Sequence, residues 1–164
     1  MSVRPSPSGL PPGAAHPGSL PRVDPRGLRF AAAVTTVVLA SVLVTGSPWL
    51  LAAQAVVFAL GARDHSPYGL IFRRLVRPRL RPPHELEDAR PPRFAQGVGL
   101  AFAVLGLLGY LTGVELLAVL ATAAALAAAF LNAAFGICLG CEIYLLIRRT
   151  FPRRTSVFHK EVSA

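Results

Sequence analysis

Acidic side chains are scarce in this chain, with eight Asp and Glu against 17 Lys and Arg. None of either sign lies near the centre of its long apolar runs, which weighs against a proton- or ion-coupled transporter. Cysteine is limited to Cys138 and Cys141, so no second pair exists to complete a four-thiolate zinc site. There is no Gly-rich phosphate loop, hydrolase triad or paired-carboxylate motif. No cofactor is expected on that basis, and no enzyme class can be argued. Met1 to Pro21 is rich in Pro, Gly and Ser but holds no compact hydrophobic segment with a small-residue cleavage site. No signal peptide is expected there, and residues 1–23 are expected to form a disordered, Pro-rich cytoplasmic tail.

What is present is apolar: 53% of the 164 residues are hydrophobic and the mean hydropathy is +0.52, yet the pI is near 11.2. Polar residues are too segregated to coat a soluble core, and the apolar residues fall in runs of membrane-crossing size. The 17 basic residues sit in three places: the segment through Arg29, the stretch from Arg63 to Arg93, and the tail from Arg148. The short loops Thr45–Pro48 and Thr112–Glu115 carry none. This is the positive-inside pattern, and it predicts a multi-pass protein of the cell membrane with both termini and the central loop cytoplasmic. The formal charge of +9 is then matched to anionic lipid headgroups as partner. Nucleic acid is not expected, because the basic and aromatic residues do not interleave as in its binding modules.

In chain order, spans are expected at about 28–44 and 49–62, closed by Thr45-Gly46-Ser47-Pro48 between them. Ser66-Pro67 reads as an N-cap and first helical residue of an interfacial helix over 67–77, ended by Pro78. Residues 79–92 form a polar cytoplasmic linker, and further spans follow at about 95–111 and 115–137. Gly97, Gly99, Gly106 and Gly109 predict close helix contact in the third span, and Ala121, Ala125, Ala129 and Ala133 form a packing seam on the fourth. A second interfacial helix is expected over 141–149, and residues 151–164 form a cytoplasmic tail. Asp24 and Asp88 are expected to pair with nearby arginines, and Arg29 and Arg93 to snorkel at the inner ends.

The two halves resemble each other. A shift of 64 residues superposes Asp24, Arg26, Arg29, Phe30 and Ala31 on Asp88, Arg90, Arg93, Phe94 and Ala95. Shifts of 67 and 75 align Val44-Thr45-Gly46 with Leu111-Thr112-Gly113, and Leu70 to Arg74 with Leu145 to Arg149. The predicted fold is therefore an all-α membrane protein. It has four transmembrane helices in two parallel two-helix repeats (24–78 and 93–150), each followed by a short cytoplasmic interfacial helix. The last shift places Cys141 opposite Ser66, as the start of the second interfacial helix.

Several residues carry a more specific likeness: Asp24, Arg26 and Arg29, then Ser66 and Pro67, then Phe135, Gly136, Cys138, Gly140, Cys141 and Tyr144. Over about Val23 to Arg149 the chain resembles the domain of unknown function 4395 family of small bacterial integral membrane proteins. The resemblance implies a membrane fold and location and brings no established activity.

Chemistry converges on Cys138 and Cys141, the candidate catalytic pair. Their spacing is that of a redox dithiol, about 60° apart around a helix. Gly136 and Gly140 bracket the pair, Tyr144 follows, Ser66 marks the same turn in the first half, and Arg148 and Arg149 add positive potential. Glu142 works against thiolate formation. The expected function is a membrane-anchored thiol-disulfide or sulfur-relay protein with a cytoplasmic thioredoxin-like or sulfur-carrier partner. The alternative is a structural subunit or scaffold whose cysteines merely pack, free Cys being commonly buried. A minor third reading is a metal site adding His65 and His84 to the two cysteines. His16 and His159 are read as solvated.

Overall fold

A computed structural model describes residues 22–63, 65–80 and 86–150. The expected N-terminal tail through residue 21, residues 81–85 of the central linker with His84 among them, and the C-terminal tail lie outside the described residues. Among the described residues the architecture is all-α, with six α-helices and one two-residue strand pair. Helices α1 (Pro25–Thr45), α2 (Pro48–Ala62), α4 (Arg90–Thr112) and α5 (Glu115–Phe135) form the bundle, while α3 (Pro67–Ile71) and α6 (Leu139–Thr150) follow α2 and α5. Three of them, α1, α4 and α5, are long and apolar enough to cross a membrane. Helix α2 has 15 residues, about 22 Å of rise, against a hydrocarbon core of about 30 Å.

The punctuation of the chain explains these boundaries. Gly46 and Gly113 end α1 and α4 at φ 63° and 73°, the left-handed conformation that costs glycine least. Pro48 then opens α2 at a position where a missing N–H loses nothing. Asp24 caps α1 by accepting the Arg26 N–H at 3.0 Å, and Asp88 accepts the Arg90 N–H at 2.9 Å. Both carboxylates thus serve backbone amides, where the sequence suggested ion pairing with arginine. Ser66 caps α3 through the Gly69 N–H at 3.2 Å. The helix expected over 67–77 is α-helical only to Ile71; it widens to a π-helical stretch over Phe72–Val76 and ends in a tight turn over Arg77–Arg79. Pro78 accounts for this, since it cannot donate and its ring crowds the carbonyl four residues back.

Contacts place the helix ends in two groups. Strands β1 (Arg22–Val23) and β2 (Glu87–Asp88) pair antiparallel, so α1 and α4 start side by side. Phe72, just past α3, packs on Phe30 of α1 at 5.8 Å between ring centroids, and Tyr144 of α6 packs on Phe94 of α4 at 5.7 Å. Gly61 near the end of α2 abuts Gln96 of α4. The starts of α1 and α4, the end of α2, α3 and α6 therefore share one end of the bundle. The turns at Gly46 and Gly113 form the other.

Between the ends, α1 packs on α5, α2 on α4, and α4 on α5. The core is Leu39, Val42, Leu51, Ala55, Phe58, Ala103 and Ala125. Three of the expected contact glycines are used: Gly99 meets Phe58, Gly106 meets Leu51 and Thr122, and Gly109 meets the backbone of Ala118. Gly97 faces open space, so it plays no such part. On the α5 seam Ala121 and Ala125 are buried, whereas Ala129 and Ala133 are only half-buried. The exterior is apolar, with Trp49 84% and Leu111 78% exposed, as suits contact with lipid and not with water.

One polar cluster lies inside. The amide of Gln54, fully buried, donates to Thr35 Oγ1 at 3.4 Å, and its Oε1 accepts the Tyr68 hydroxyl at 2.9 Å. These bonds tie α1, α2 and α3 together, since an unpaired amide there would keep its full desolvation penalty. Burial raises the Tyr68 phenol above its ordinary 10.0, so it stays the donor at working pH. Its contribution to stability is complete below the ordinary value and fades as pH climbs through the raised one.

Two substitutions report on this packing. A side chain at Gly109 would put its Cβ 2.5 Å from the Ala118 nitrogen, so Gly109→Val should destabilise by about 1–3 kcal/mol as α4 and α5 separate. Tyr68→Phe removes only the hydroxyl and should cost about 1 kcal/mol. Thermal unfolding of the purified protein in detergent measures both; a melting temperature unchanged in Gly109→Val would contradict the close helix approach.

Candidate functional site

The site is assembled where α5 ends and α6 begins. Helix α5 stops at Gly136, whose φ of 73° reverses the chain. The Gly136 N–H bonds the carbonyls of Asn132 and Leu131, and the Ile137 N–H returns to Leu131 at 3.4 Å. Two further α5 carbonyls, Ala133 and Ala134, accept from the Arg29 guanidinium at 3.3 and 3.4 Å. A cation is favoured at a helix C-terminus on dipole grounds as well. Arg29 thus fastens the end of α5 to the start of α1, a structural task where the sequence suggested snorkelling.

Past this reversal, Cys138 caps α6. The Cys138 carbonyl accepts the Glu142 N–H at 3.0 Å, and its Sγ accepts the Cys141 N–H at 3.3 Å. Ser66 makes the same pair of bonds at α3: its carbonyl to the Leu70 N–H at 3.1 Å and its Oγ to the Gly69 N–H at 3.2 Å. The residue equivalent to Ser66 is therefore Cys138, not Cys141, and α6 begins at Leu139, two residues earlier than expected. The shift of 75 aligns the Arg-Arg pairs and misplaces the cap, because α3 changes pitch after Ile71 whereas α6 stays α-helical.

Cys138 and Cys141 are joined in a disulfide with Cα atoms 5.1 Å apart. Both residues are half-buried, so neither is sealed in the bundle nor fully in the open. Gly140, between them, lies against α4: a Cβ there would stand 2.6 Å from both Cα and Cβ of Ala95. The glycine is required by this close approach, and it seats the first turn of α6. Tyr144 continues the same face, on Phe94, with the Arg148 guanidinium carbon 5.9 Å from the centre of its ring. The outer face of α6 carries Leu139, Ile143, Leu146 and Ile147, all exposed, with Glu142 in the first turn and Arg148 and Arg149 in the last.

The structure thus brings together Cys138, Cys141, Gly136, Gly140, Glu142, Tyr144 and Arg148 within one turn-and-helix unit, with Arg149 one residue on. Ser66 belongs to the α3 cap and serves as its counterpart. Sequence reasoning missed Ala95 and Phe94 as the seat of α6 and the bonds of Arg29 to the α5 carbonyls. The only signal for them was the Arg-Phe-Ala triplet that begins both halves, Arg29-Phe30-Ala31 and Arg93-Phe94-Ala95. For a metal, no group of three or more His, Cys, Asp or Glu side chains is gathered among the described residues. His65 Nδ1 instead lies 2.8 Å from the Arg63 carbonyl. Chemically, the unit offers one disulfide bond, placed at a helix N-terminus beside an apolar bundle.

The seating of α6 is testable. Gly140→Ala should lower stability by about 1–3 kcal/mol and loosen α6 from α4. Adding Ala95→Gly should recover part of that loss, and only part, since the Ala95 Cα is as near as its Cβ. Melting temperatures in detergent and proteolysis between α5 and α6 supply the measurement; full stability in the single variant would refute the contact.

Neither a curated protein nor a solved structure matches the chain. A family profile does match, described as Domain of unknown function (DUF4395), and it covers residues 23–149. That span includes every helix from α1 to the last turns of α6, with the cysteine unit inside it. The chain belongs to the DUF4395 family.

Proposed function

We propose that this is a four-span membrane protein that exchanges the Cys138–Cys141 disulfide with a cytoplasmic thioredoxin-like or sulfur-carrier protein. The observation that carries the reading is the disulfide itself, set at the start of α6 and directly after the spanning-length helix α5. A short-spaced disulfide in a reducing compartment is normally a transient, exchanging one.

The membrane arrangement rests on supporting features. Trp49, at the far end and almost fully exposed, suits an interfacial anchor for the short α2, which local bilayer thinning would let cross. The helix starts bearing Arg26, Arg29, Arg90 and Arg93 share one end, the end the positive-inside pattern assigns to the cytoplasm. There α6, apolar on its outer face and basic in its last turn, fits the plane of an anionic leaflet. The two-repeat reading draws on matched details. Aspartates that accept the backbone N–H two residues on stand at 24 and 88, left-handed glycines at 46 and 113, side-chain caps at 66 and 138, and aromatic pairs join Phe30 to Phe72 and Phe94 to Tyr144.

The scaffold reading keeps one observation in its favour: Gly140 and Tyr144 pack tightly on α4, so the unit has a structural use whatever its sulfurs do. Alkylation of membranes separates the two. Under exchange, Cys138 and Cys141 take up a maleimide after mild reduction, lose that reactivity on mild oxidation, and regain it on reduction. The reading fails if both cysteines stay inert in the folded protein, or if the double Ser variant matches wild type in every redox assay. For orientation, single cysteines replacing Ser47 or Gly113 in that double Ser background should react with an impermeant maleimide on intact cells. One replacing Arg77 should react only after lysis, and the reverse pattern would overturn the assignment of sides.

A further inference from the structure

The two sulfurs of the pair are not equivalent. We propose that Cys138 is the sulfur that forms the mixed disulfide with a partner protein, and that Cys141 resolves it; this rests on the exchange reading above.

The geometry supplies the asymmetry. Cys138 Sγ sits at the N-cap of a 12-residue helix and accepts the Cys141 N–H at 3.3 Å. Cys141 Sγ receives no backbone N–H among the described residues. On reduction the Cys138 sulfur keeps its place, where the amide and the helix dipole favour its thiolate over its thiol. Ser66 shows that this is a capping position in its own right: an oxygen there makes the same bond, at 3.2 Å, without any disulfide. Cationic groups stand at this end of the bundle and favour either thiolate over its thiol. Arg29 lies at the end of α5, Arg93 adjoins Phe94 on α4, and Arg148 lies over Tyr144 further along α6. Glu142 opposes them, but it is exposed and its field is screened by water.

The chemistry balances in two steps. The Cys138 thiolate attacks one sulfur of a partner's disulfide, forming the mixed bond and releasing the partner's other sulfur as a thiolate, which takes a proton. Cys141, giving up its own proton to water, then attacks Cys138 Sγ. The Cys138–Cys141 bond forms, the mixed bond breaks, and the partner's second sulfur leaves as a thiolate. That thiolate too takes a proton from water, so two electrons pass to the partner while the protons given up by Cys138 and Cys141 are exchanged through water. The reverse sequence oxidises a partner dithiol through the same mixed disulfide at Cys138.

A lower pKa helps less than it first suggests. A drop of about one unit gives about tenfold more thiolate below both pKa values, but the weaker base loses about threefold in nucleophilicity, leaving a net gain of about threefold. The test therefore reads pH profiles as well as rates. Full-length Cys141→Ser and Cys138→Ser proteins in detergent are reacted with dithiodipyridine across pH; each keeps a capping side chain at 138, so both should fold. The lone Cys138 should show an apparent pKa about one unit below that of the lone Cys141, and react about threefold faster at about pH 6.5. In the reduced wild-type chain, acid-quenched adducts read by mass spectrometry should sit on Cys138. Adducts on Cys141, or equal or inverted pKa values, overturn the assignment while leaving exchange itself intact. Failure of both thiols to react overturns both readings.

Discussion

In a bundle with an apolar exterior, the first amides and last carbonyls of every helix need partners, because the surroundings offer none. That constraint organises one whole end of this protein. Asp24, Asp88, Ser66 and Cys138 each satisfy amides at a helix or strand-to-helix start. Gly136 and Arg29 between them take up the final carbonyls of α5. The sulfur chemistry is built into this arrangement: the same atom that closes a helix terminus is half of the disulfide.

Packing then decides which way the terminus faces. Gly140 can sit on Ala95 only because it has no side chain, and the contact turns α6 across the start of α4. Tyr144 against Phe94 holds the next turn. Helix α5 is six residues longer than α2, 21 against 15, so the α6 cap stands further along its bundle than the α3 cap does. In the first half the corresponding turn carries Ser66 and Pro67 and leads into a helix that widens and stops; in the second it carries two cysteines and leads into three regular turns.

The buried Gln54 cluster and the cysteine unit illustrate two uses of polarity in an apolar fold. Gln54 is satisfied on both sides, by Thr35 and Tyr68, and so fixes three helices without reactivity. Cys138 and Cys141 satisfy a helix terminus with groups that are also joined to each other by a disulfide. Half-burial leaves that bond neither sealed in the bundle nor fully in the open.

The sequence by itself determined the helical class, the glycine stops and the position of the cysteine pair. These follow from local chemistry: Pro and Gly set backbone angles, and apolar runs set helix length. Family membership was legible from the cysteine unit and the aspartate-arginine lead-ins. Only the tertiary structure decided that Cys138, and not Cys141, is the cap. Internal alignment followed the Arg-Arg pairs and had no means of seeing the change of pitch after Ile71. Only the structure, too, assigned Arg29 to the α5 carbonyls, left Gly97 facing open space and set Gly140 on Ala95. Each of these is a contact or its absence between segments distant in sequence, fixed by how helices approach one another, and no local pattern encodes that.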